Sequence, residues 1–283
     1  MKEVGYYNGT IGPLSEINCP ILDRAVYFGD GCYDATYVQN GVIFALEDHF
    51  DRFYNSCRLL RIPFQYSREE LEKILYSLVE AYDGNDGKGI LYWQTSRGTA
   101  LRNHLFPDET EVKPNLMAFL MPMDLSPKEK EFHTITLEDT RFLHCNIKTL
   151  NLIPSVMASQ RAKEKGCQEA VFHRGDRVTE CAHSNCHILK DGRLITAPLD
   201  NLILPGIARA HLINICEKLG VPVDERPFTV AELMAADEVL VSSSSKFCLS
   251  ACEVDGKPVG GRAAALLETI QKAVEQEFLT QTE

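Results

Sequence analysis

Three Asn-Gly or Asp-Gly dipeptides, each set between strand-forming residues, constrain the fold of this chain more than any other feature. They are Asn8-Gly9, Asn40-Gly41 and Asp191-Gly192. Such a dipeptide favours a two-residue turn with positive φ at both positions, and so joins neighbouring antiparallel strands. Residues 35–38 and 42–44 then pair around the second turn. After it, Phe50, Phe53, Tyr54, Cys57 and Leu60 recur at helical spacing. Ser67-Arg68-Glu69-Glu70 has the form of a capping box. It opens a second helix with Leu71, Ile74, Leu75, Leu78 and Val79 on its apolar face. Residues 90–95 and 116–121 read as buried strands, which makes the first domain α+β.

A length of 283 residues suits one large or two modest domains with ample core. The polar stretch 124–131, containing Ser126-Pro127, is the best linker. The expected division is 1–123 and 124–283. In the second part, strands are expected near 134–137, 170–173, 187–189 and 194–196, and helices at 155–165, 207–219 and 262–279. The net charge of −11 argues against nucleic acid or an anionic membrane as partner. The start, Met1-Lys2-Glu3-Val4-Gly5-Tyr6, has no continuous apolar core of a signal peptide, and no apolar run approaches spanning length. Ten cysteines without paired spacing fit reduced thiols in a cytosolic protein. A cytoplasmic location is therefore expected.

Taken singly, the polar residues have ordinary readings. Lys148, between Ile147 and Leu150, reads as a surface lysine that keeps its ammonium in water. Glu180 reads as a turn acid, Arg52 as half of a helix-surface ion pair, and Ser242 to Ser245 as a polar loop. Arg102-Asn103-His104 reads as a basic surface loop. Gly206-Ile207-Ala208 opens a helix, where free N–H groups and the helix dipole favour an anion. Cys181, His183, Cys186 and His187 are metal-ligand types, but they lack the two separated pairs of a structural zinc site, so no metal is expected. Gly29-Asp30-Gly31 lacks the third glycine of a dinucleotide loop, and no P-loop or His-Glu-x-x-His is present.

Several segments in order change these readings. They are Asp23-Arg24, Phe28-Gly29-Asp30-Gly31-Cys32-Tyr33, His49-Phe50-Asp51-Arg52, Thr95-Ser96-Arg97-Gly98-Thr99, Arg141 to Asn151, Val178-Thr179-Glu180 and Leu204-Pro205-Gly206-Ile207. Along nearly the whole chain they resemble the fold-type IV aminotransferases, and within them most closely the D-amino acid aminotransferases. The resemblance implies a two-domain α+β fold, with a small α/β sandwich N-terminal domain and a larger β-barrel-like C-terminal domain. It implies pyridoxal 5′-phosphate as cofactor, with Lys148 as the Schiff-base lysine and Glu180 as partner of the pyridine nitrogen. Arg52, Leu204, Ile207, Ala208, Ser243 and Ser244 would complete the cofactor site. Lys246 would add charge near the phosphate. Tyr33 with Arg102 and His104 would trap the substrate carboxylate, the Arg-x-His loop reaching in from the second subunit of a homodimer. A guanidinium suits that task because it donates two parallel hydrogen bonds.

The implied reaction moves an amino group from an amino acid, of the D-alanine or D-glutamate type, to a 2-oxo acid. Rival readings are an aminodeoxychorismate lyase or a branched-chain aminotransferase of the same fold, and, from another class, a non-catalytic cofactor-binding protein. Arg102-x-His104 favours the D-amino acid enzyme. Two departures stand out. Ala208 occupies a helix-start position that often carries threonine. Cys181-Ala182-His183 replaces a small, serine-rich run, which bears on the substrate side chain.

Overall fold

The computed structural model describes residues 1–125 and 131–283. The central part of the expected linker, 126–130, lies outside the described residues. The chain divides into two compact units: Met1–Asp124 with Ile147–Asn151 and Thr280–Glu283, and Leu125–Asn146 with Leu152–Leu279. The lysine segment thus groups with the first unit, although it follows the linker in sequence.

In the first unit, β1 (Val4–Tyr7) and β2 (Thr10–Pro13) pair around Asn8-Gly9. A short α1 (Arg24–Phe28) is capped by Asp23 and ends on Gly29 at φ 61°. β3 (Gly31–Gln39) turns at Asn40-Gly41 into β4 (Val42–Ile43). Then follow α2 (Leu46–Leu59), α3 (Arg68–Ala81), β5 (Gly89–Ser96) and β6 (Asn115–Pro122). Among the described residues they form a six-stranded sheet in the order β2-β1-β6-β5-β3-β4. Both turn dipeptides have φ between 43° and 94°, as a tight hairpin demands. The Ser67 capping box forms as expected, with Glu70 bonding back to the Ser67 N–H. Leu71, Leu75 and Leu78 of α3, with Phe50, Phe53 and Cys57 of α2, bury one sheet face around Leu91, Trp93, Leu116 and Leu120. Each such side chain contributes roughly 1.5–3 kcal/mol on burial.

The second unit contains β7 (His133–Glu138), α4 (Ile153–Glu164), β8 (Glu169–Arg174), β9 (Arg177–Cys181), β10 (Asn185–Lys190), β11 (Arg193–Thr196), α5 (Ile207–Lys218) and β12 (Val223–Glu225). α6 (Val230–Met234), β13 (Glu238–Ser242), β14 (Leu249–Ala251), β15 (Glu253–Val254), β16 (Lys257–Pro258) and α7 (Ala264–Gln281) follow. The strands make two five-stranded sheets, β12-β11-β10-β13-β14 and β16-β15-β7-β8-β9. One core unites their inner faces: Val171, Val178 and Cys181 meet Cys186, Ile188, Val239 and Val241. The outer faces are also covered. Leu189, Leu194 and Leu240 pack on α5 and α7, and Ala170 and Phe172 pack on α4. Because both faces are buried, the strands read as apolar runs rather than as alternating patterns. No described helix is long and apolar enough to cross a membrane.

Candidate active site

In the first unit, residues 147–151 lie along the start of β3. The Tyr33 N–H donates to the Lys148 carbonyl at 3.0 Å, and the Leu150 N–H to the Gly31 carbonyl at 3.1 Å. The Lys148 N–H donates to Ser56 Oγ at 3.3 Å. Gly31 permits this approach, since a Cβ there would sit 2.3 Å from the Thr95 carbonyl oxygen and 2.8 Å from Leu150 Cδ1. The Lys148 ammonium lies 4.2 Å from the centre of the Tyr33 ring. Tyr33 stacks on Tyr92, and Tyr92 on Phe119. The lysine is therefore anchored through its backbone at β3, with its amine over an aromatic face.

Arg52 is buried, not on the helix surface. Its fork grips Asp34, Nε at 2.9 Å and Nη2 at 2.6 Å, and His49 Nδ1 meets the same carboxylate at 2.7 Å. Burial opposes ionisation of Asp34, yet Arg52 and His49 hold its pKa well below the usual carboxylate range. Burial lowers the His49 pKa, with Arg52 and Lys148 pulling the same way against Asp34. Asp34 thus fixes the plane of the guanidinium.

Arg102 and His104 are exposed and flank the Phe28 ring, each about 5.0 Å from its centre. Beneath them Asp30 binds Arg24 at 2.8 Å and Arg97 at 2.9 Å. A pocket of about 280 Å³ opens here, lined by Arg24, Phe28, Asp30, His104, Phe106 and Asn151 among others. Among the described residues, neither Arg102 nor His104 bonds to Tyr33 or Lys148.

In the second unit, Glu180 sits near the end of β9, only 5 % exposed. One carboxylate oxygen takes an ion pair from Arg141. The other accepts Asn185 Nδ2 and the Leu204 N–H, both at 3.0 Å. Burial pushes the Glu180 pKa up to about 7, against the lowering pull of Arg141 and the Leu204 N–H. Arg141 also grips Asp139 through Nε and Nη2, both at 2.9 Å, and lies over Phe172. Asn185 also donates to the Leu204 carbonyl at 3.0 Å. Gly206 follows closely: a Cβ there would fall 2.0 Å from Asn185 Oδ1. The helix α5 begins at Ile207 with no side-chain cap, so its first N–H groups, Ala208 included, are available to an anion.

Ser243 and Ser244 lie, half-buried, in a turn closed by the Phe247 N–H on the Ser243 carbonyl at 2.7 Å. The structure directs the Lys246 ammonium to Glu169 at 3.8 Å, over the Phe132 ring. Its charge is thereby shared with a buried acid. Of the four metal-ligand types after Glu180, Cys181 and Cys186 hydrogen-bond to each other, and the two histidines take other partners. His187 bonds Thr196 and Ser242, both at 2.8 Å, and burial pushes its pKa down to about 3. His183 Nδ1 meets Glu169 at 2.8 Å.

Sequence reasoning assigned no role to Asp34, His49, Arg141, Asp139 or Glu169. His49 and Arg52 share a helix face at i, i+3, which was a signal for that pair. Arg141 and Glu180 are brought together only by the fold.

This architecture defines a class. Residues 31–254 match the family Amino-transferase class IV. The chain is 37% identical over 274 residues, 96% of each chain, to a D-alanine aminotransferase of Staphylococcus aureus (strain MSSA476). It is 38% identical over 263 residues, 90% of each, to a D-alanine aminotransferase of Listeria monocytogenes serotype 1/2a (strain 10403S). The branched-chain amino acid aminotransferase from Escherichia coli has the same fold, with a TM-score of 0.89 at 21% identity, covering 100% of this chain and 96% of that one. The chain belongs to the class IV aminotransferases, a family of pyridoxal-phosphate enzymes that transfer amino groups.

Proposed function

We propose that the protein is a transaminase that holds pyridoxal 5′-phosphate and moves an amino group from a D-amino acid, of the alanine or glutamate type, to a 2-oxo acid. The observation that carries the reading is Glu180: a buried acid whose geometry is fixed by Arg141, Asn185 and the Leu204 N–H. A buried carboxylate of this kind fits a protonated ring nitrogen, because burial keeps its pKa up at about 7 even with Arg141 beside it, and a second cation would favour the ionised form. The cofactor, when bound, supplies the electron sink that makes the substrate α-hydrogen acidic.

The chain's own residues divide the remaining work. Lys148 provides the amine that holds the cofactor and carries the proton to and from the substrate α-carbon. Glu180 keeps the ring nitrogen protonated. Arg52, its plane set by Asp34, supplies a cationic fork for the phosphate. The N–H groups of Ile207 and Ala208 and the hydroxyls of Ser243 and Ser244 would add donors for the phosphate, and Leu204 would belong to the same cofactor site. Ala208 offers its N–H but no hydroxyl. Arg102, His104 and Tyr33 fix the substrate carboxylate. The exposure of Arg102 and His104 at Phe28, without a bond to Tyr33 or Lys148, supports a trap completed by a second subunit of a homodimer. A cytoplasmic location accompanies this reading.

The D preference rests on two supports: the names of the relatives at 37% and 38% identity, and the Arg102-x-His104 pair. The decisive experiment is a donor screen with both enantiomers against 2-oxoglutarate and pyruvate. Turnover of D-alanine and D-glutamate supports the proposal. Turnover of L-leucine and L-valine with none of the D forms moves the chain to the branched-chain side, and activity without a keto acid moves it to the lyases.

A further inference from the structure

A lysine amine at the end of a flexible four-carbon stem has to return to one place if it is to hold a cofactor and then move a proton. The backbone of Lys148 is fixed by the Tyr33 N–H on its carbonyl at 3.0 Å and by its own N–H on Ser56 Oγ at 3.3 Å. Among the described residues its Nζ makes no hydrogen bond or ion pair. What it meets is the Tyr33 ring, 4.2 Å away. The plane of that half-buried ring therefore bears on where the amine sits.

The ring is held from behind. Leu91, Trp93, Ala118 and Leu120 belong to the core under α2 and α3, as does Cys32. Side chains alternate along a strand, so Tyr33, Tyr92 and Phe119 project from the opposite face of the sheet. There Tyr33 stacks on Tyr92 with ring centres 5.2 Å and planes 20° apart, and Tyr92 stacks on Phe119 at 4.8 Å and 11°. Strand register produces the row. Tyr92 pairs directly with Phe119, while Tyr33 pairs with Gln94, further along β5. Such diagonal neighbours are within reach of aromatic side chains. Gln94 closes the arrangement, since its Oε1 accepts the Tyr92 hydroxyl at 2.8 Å. Burial pushes the Tyr92 pKa well up, so the phenol stays a neutral donor. Tyr92 thus has a ring on each side and a bond at its tip.

We infer that Tyr92 is a positioning residue for the reaction: stacked between Tyr33 and Phe119, it fixes the ring face against which Lys148 Nζ rests, and so the place from which the amine acts. Tyr92 holds this role only if Lys148 is the cofactor lysine, as in the reading given above. The row works by geometry. A Tyr33 ring that tips or slides lets the amine move with it, and rate falls steeply when a reacting group is misplaced.

The test reads the lysine without substrate. Cofactor-free protein is mixed with saturating pyridoxal phosphate, and the first-order rate of covalent capture on Lys148 is followed by absorbance. The same preparations give kcat for transamination, in wild type, Tyr92→Leu, Tyr92→Phe and Phe119→Leu. Tyr92→Leu is expected to slow capture and lower kcat, each about tenfold or more. Tyr92→Phe keeps the stacked ring and loses only the Gln94 bond, so it is expected to recover most of both. Phe119→Leu leaves Tyr33 and Tyr92 face to face and is expected to slow capture by a smaller factor, about threefold or more. Thermal melts show which variants are folded at the assay temperature; if Tyr92→Leu is not, Phe119→Leu decides by the same two readouts. Capture and kcat within about twofold of wild type in the folded ring-removing variants, or equal losses in Tyr92→Leu and Tyr92→Phe, overturn the positioning role while leaving the aminotransferase reading in place. A wild-type protein that captures no pyridoxal phosphate on Lys148 overturns both.

Discussion

Replacing Arg141 by methionine removes the one cation shared by two buried acids, and the structure sets how the cost should vary with pH. Arg141 pairs with Glu180 and donates twice through its side chain to Asp139, whose side chain is 0 % exposed. Breaking a buried ion pair from one side costs about 3–5 kcal/mol, most of it from the charge left behind. Asp139 keeps Arg174 at 3.2 Å and Thr179 Oγ at 3.1 Å, which moderates its share. Burial would raise the Asp139 pKa, but the arginines hold it below the ordinary value. That stability is present above the unfolded carboxyl pKa and is lost as pH falls through the folded one, so the Asp139 loss is already complete near pH 5.5.

Glu180 has the opposite sign. Its folded pKa is raised to about 7, so its contribution to stability declines as pH rises from the unfolded value through 7. Without Arg141 the folded pKa rises further, and the variant must keep Glu180 protonated at pH values where the wild type ionises it. Each pH unit above about 7 then adds roughly 1.4 kcal/mol to the difference between the two proteins. Urea unfolding of the cofactor-free proteins, followed by far-ultraviolet circular dichroism near pH 5.5 and near pH 8.5, measures both parts. A destabilisation below about 1 kcal/mol at both pH values, or one that does not grow with pH, would refute the reasoning.

Three further outcomes follow. Borohydride reduction of the holoenzyme and peptide mapping should place the pyridoxyl group on Lys148, and Lys148→Ala should transaminate at least about a thousandfold more slowly; a label on another lysine sinks the assignment. Arg52→Lys keeps a cation beside Asp34 but loses the fork, and should raise the cofactor dissociation constant about tenfold or more while Glu180→Ala lowers kcat more than cofactor affinity; cofactor titration and steady-state kinetics separate the two. Gly206→Ala places a Cβ 2.0 Å from Asn185 Oδ1, so it should displace that amide from Glu180 and depress kcat, and a variant with wild-type kcat would show that Asn185 is dispensable there.

Local chemistry made much of the fold legible. Asn8-Gly9, Asn40-Gly41 and Asp191-Gly192 formed the expected turns because positive φ at two successive positions is set by those residues themselves. The Ser67 capping box is equally local. β9 and β13 were not read as strands. Val239-Leu240-Val241 sends alternate side chains into two different cores, so it shows no alternation of apolar and polar. The hairpin at Asp255-Gly256 joins strands of two residues each, too short to leave a pattern around the turn.

The site divides along the same line. Lys148, Glu180 and Arg52 were found because each sits in a contiguous segment with family character, yet the sequence pattern alone placed Arg52 on a helix surface. What overturns that reading is Asp34, eighteen residues earlier, on the face of β3 that α2 covers. A buried arginine is tolerable only where an acid is delivered to it, and delivery depends on strand register and helix packing, not on spacing along the chain. The same holds for Arg141 with Glu180, thirty-nine residues apart. In both cases the charged group assigned to the cofactor in the proposed reading is legible from sequence type, while the opposite charge that fixes its orientation is visible only after folding. Orientation is the part that separates a site from a list of suitable residues, since a misplacement of about 1 Å is enough to cost on the order of a hundredfold in rate.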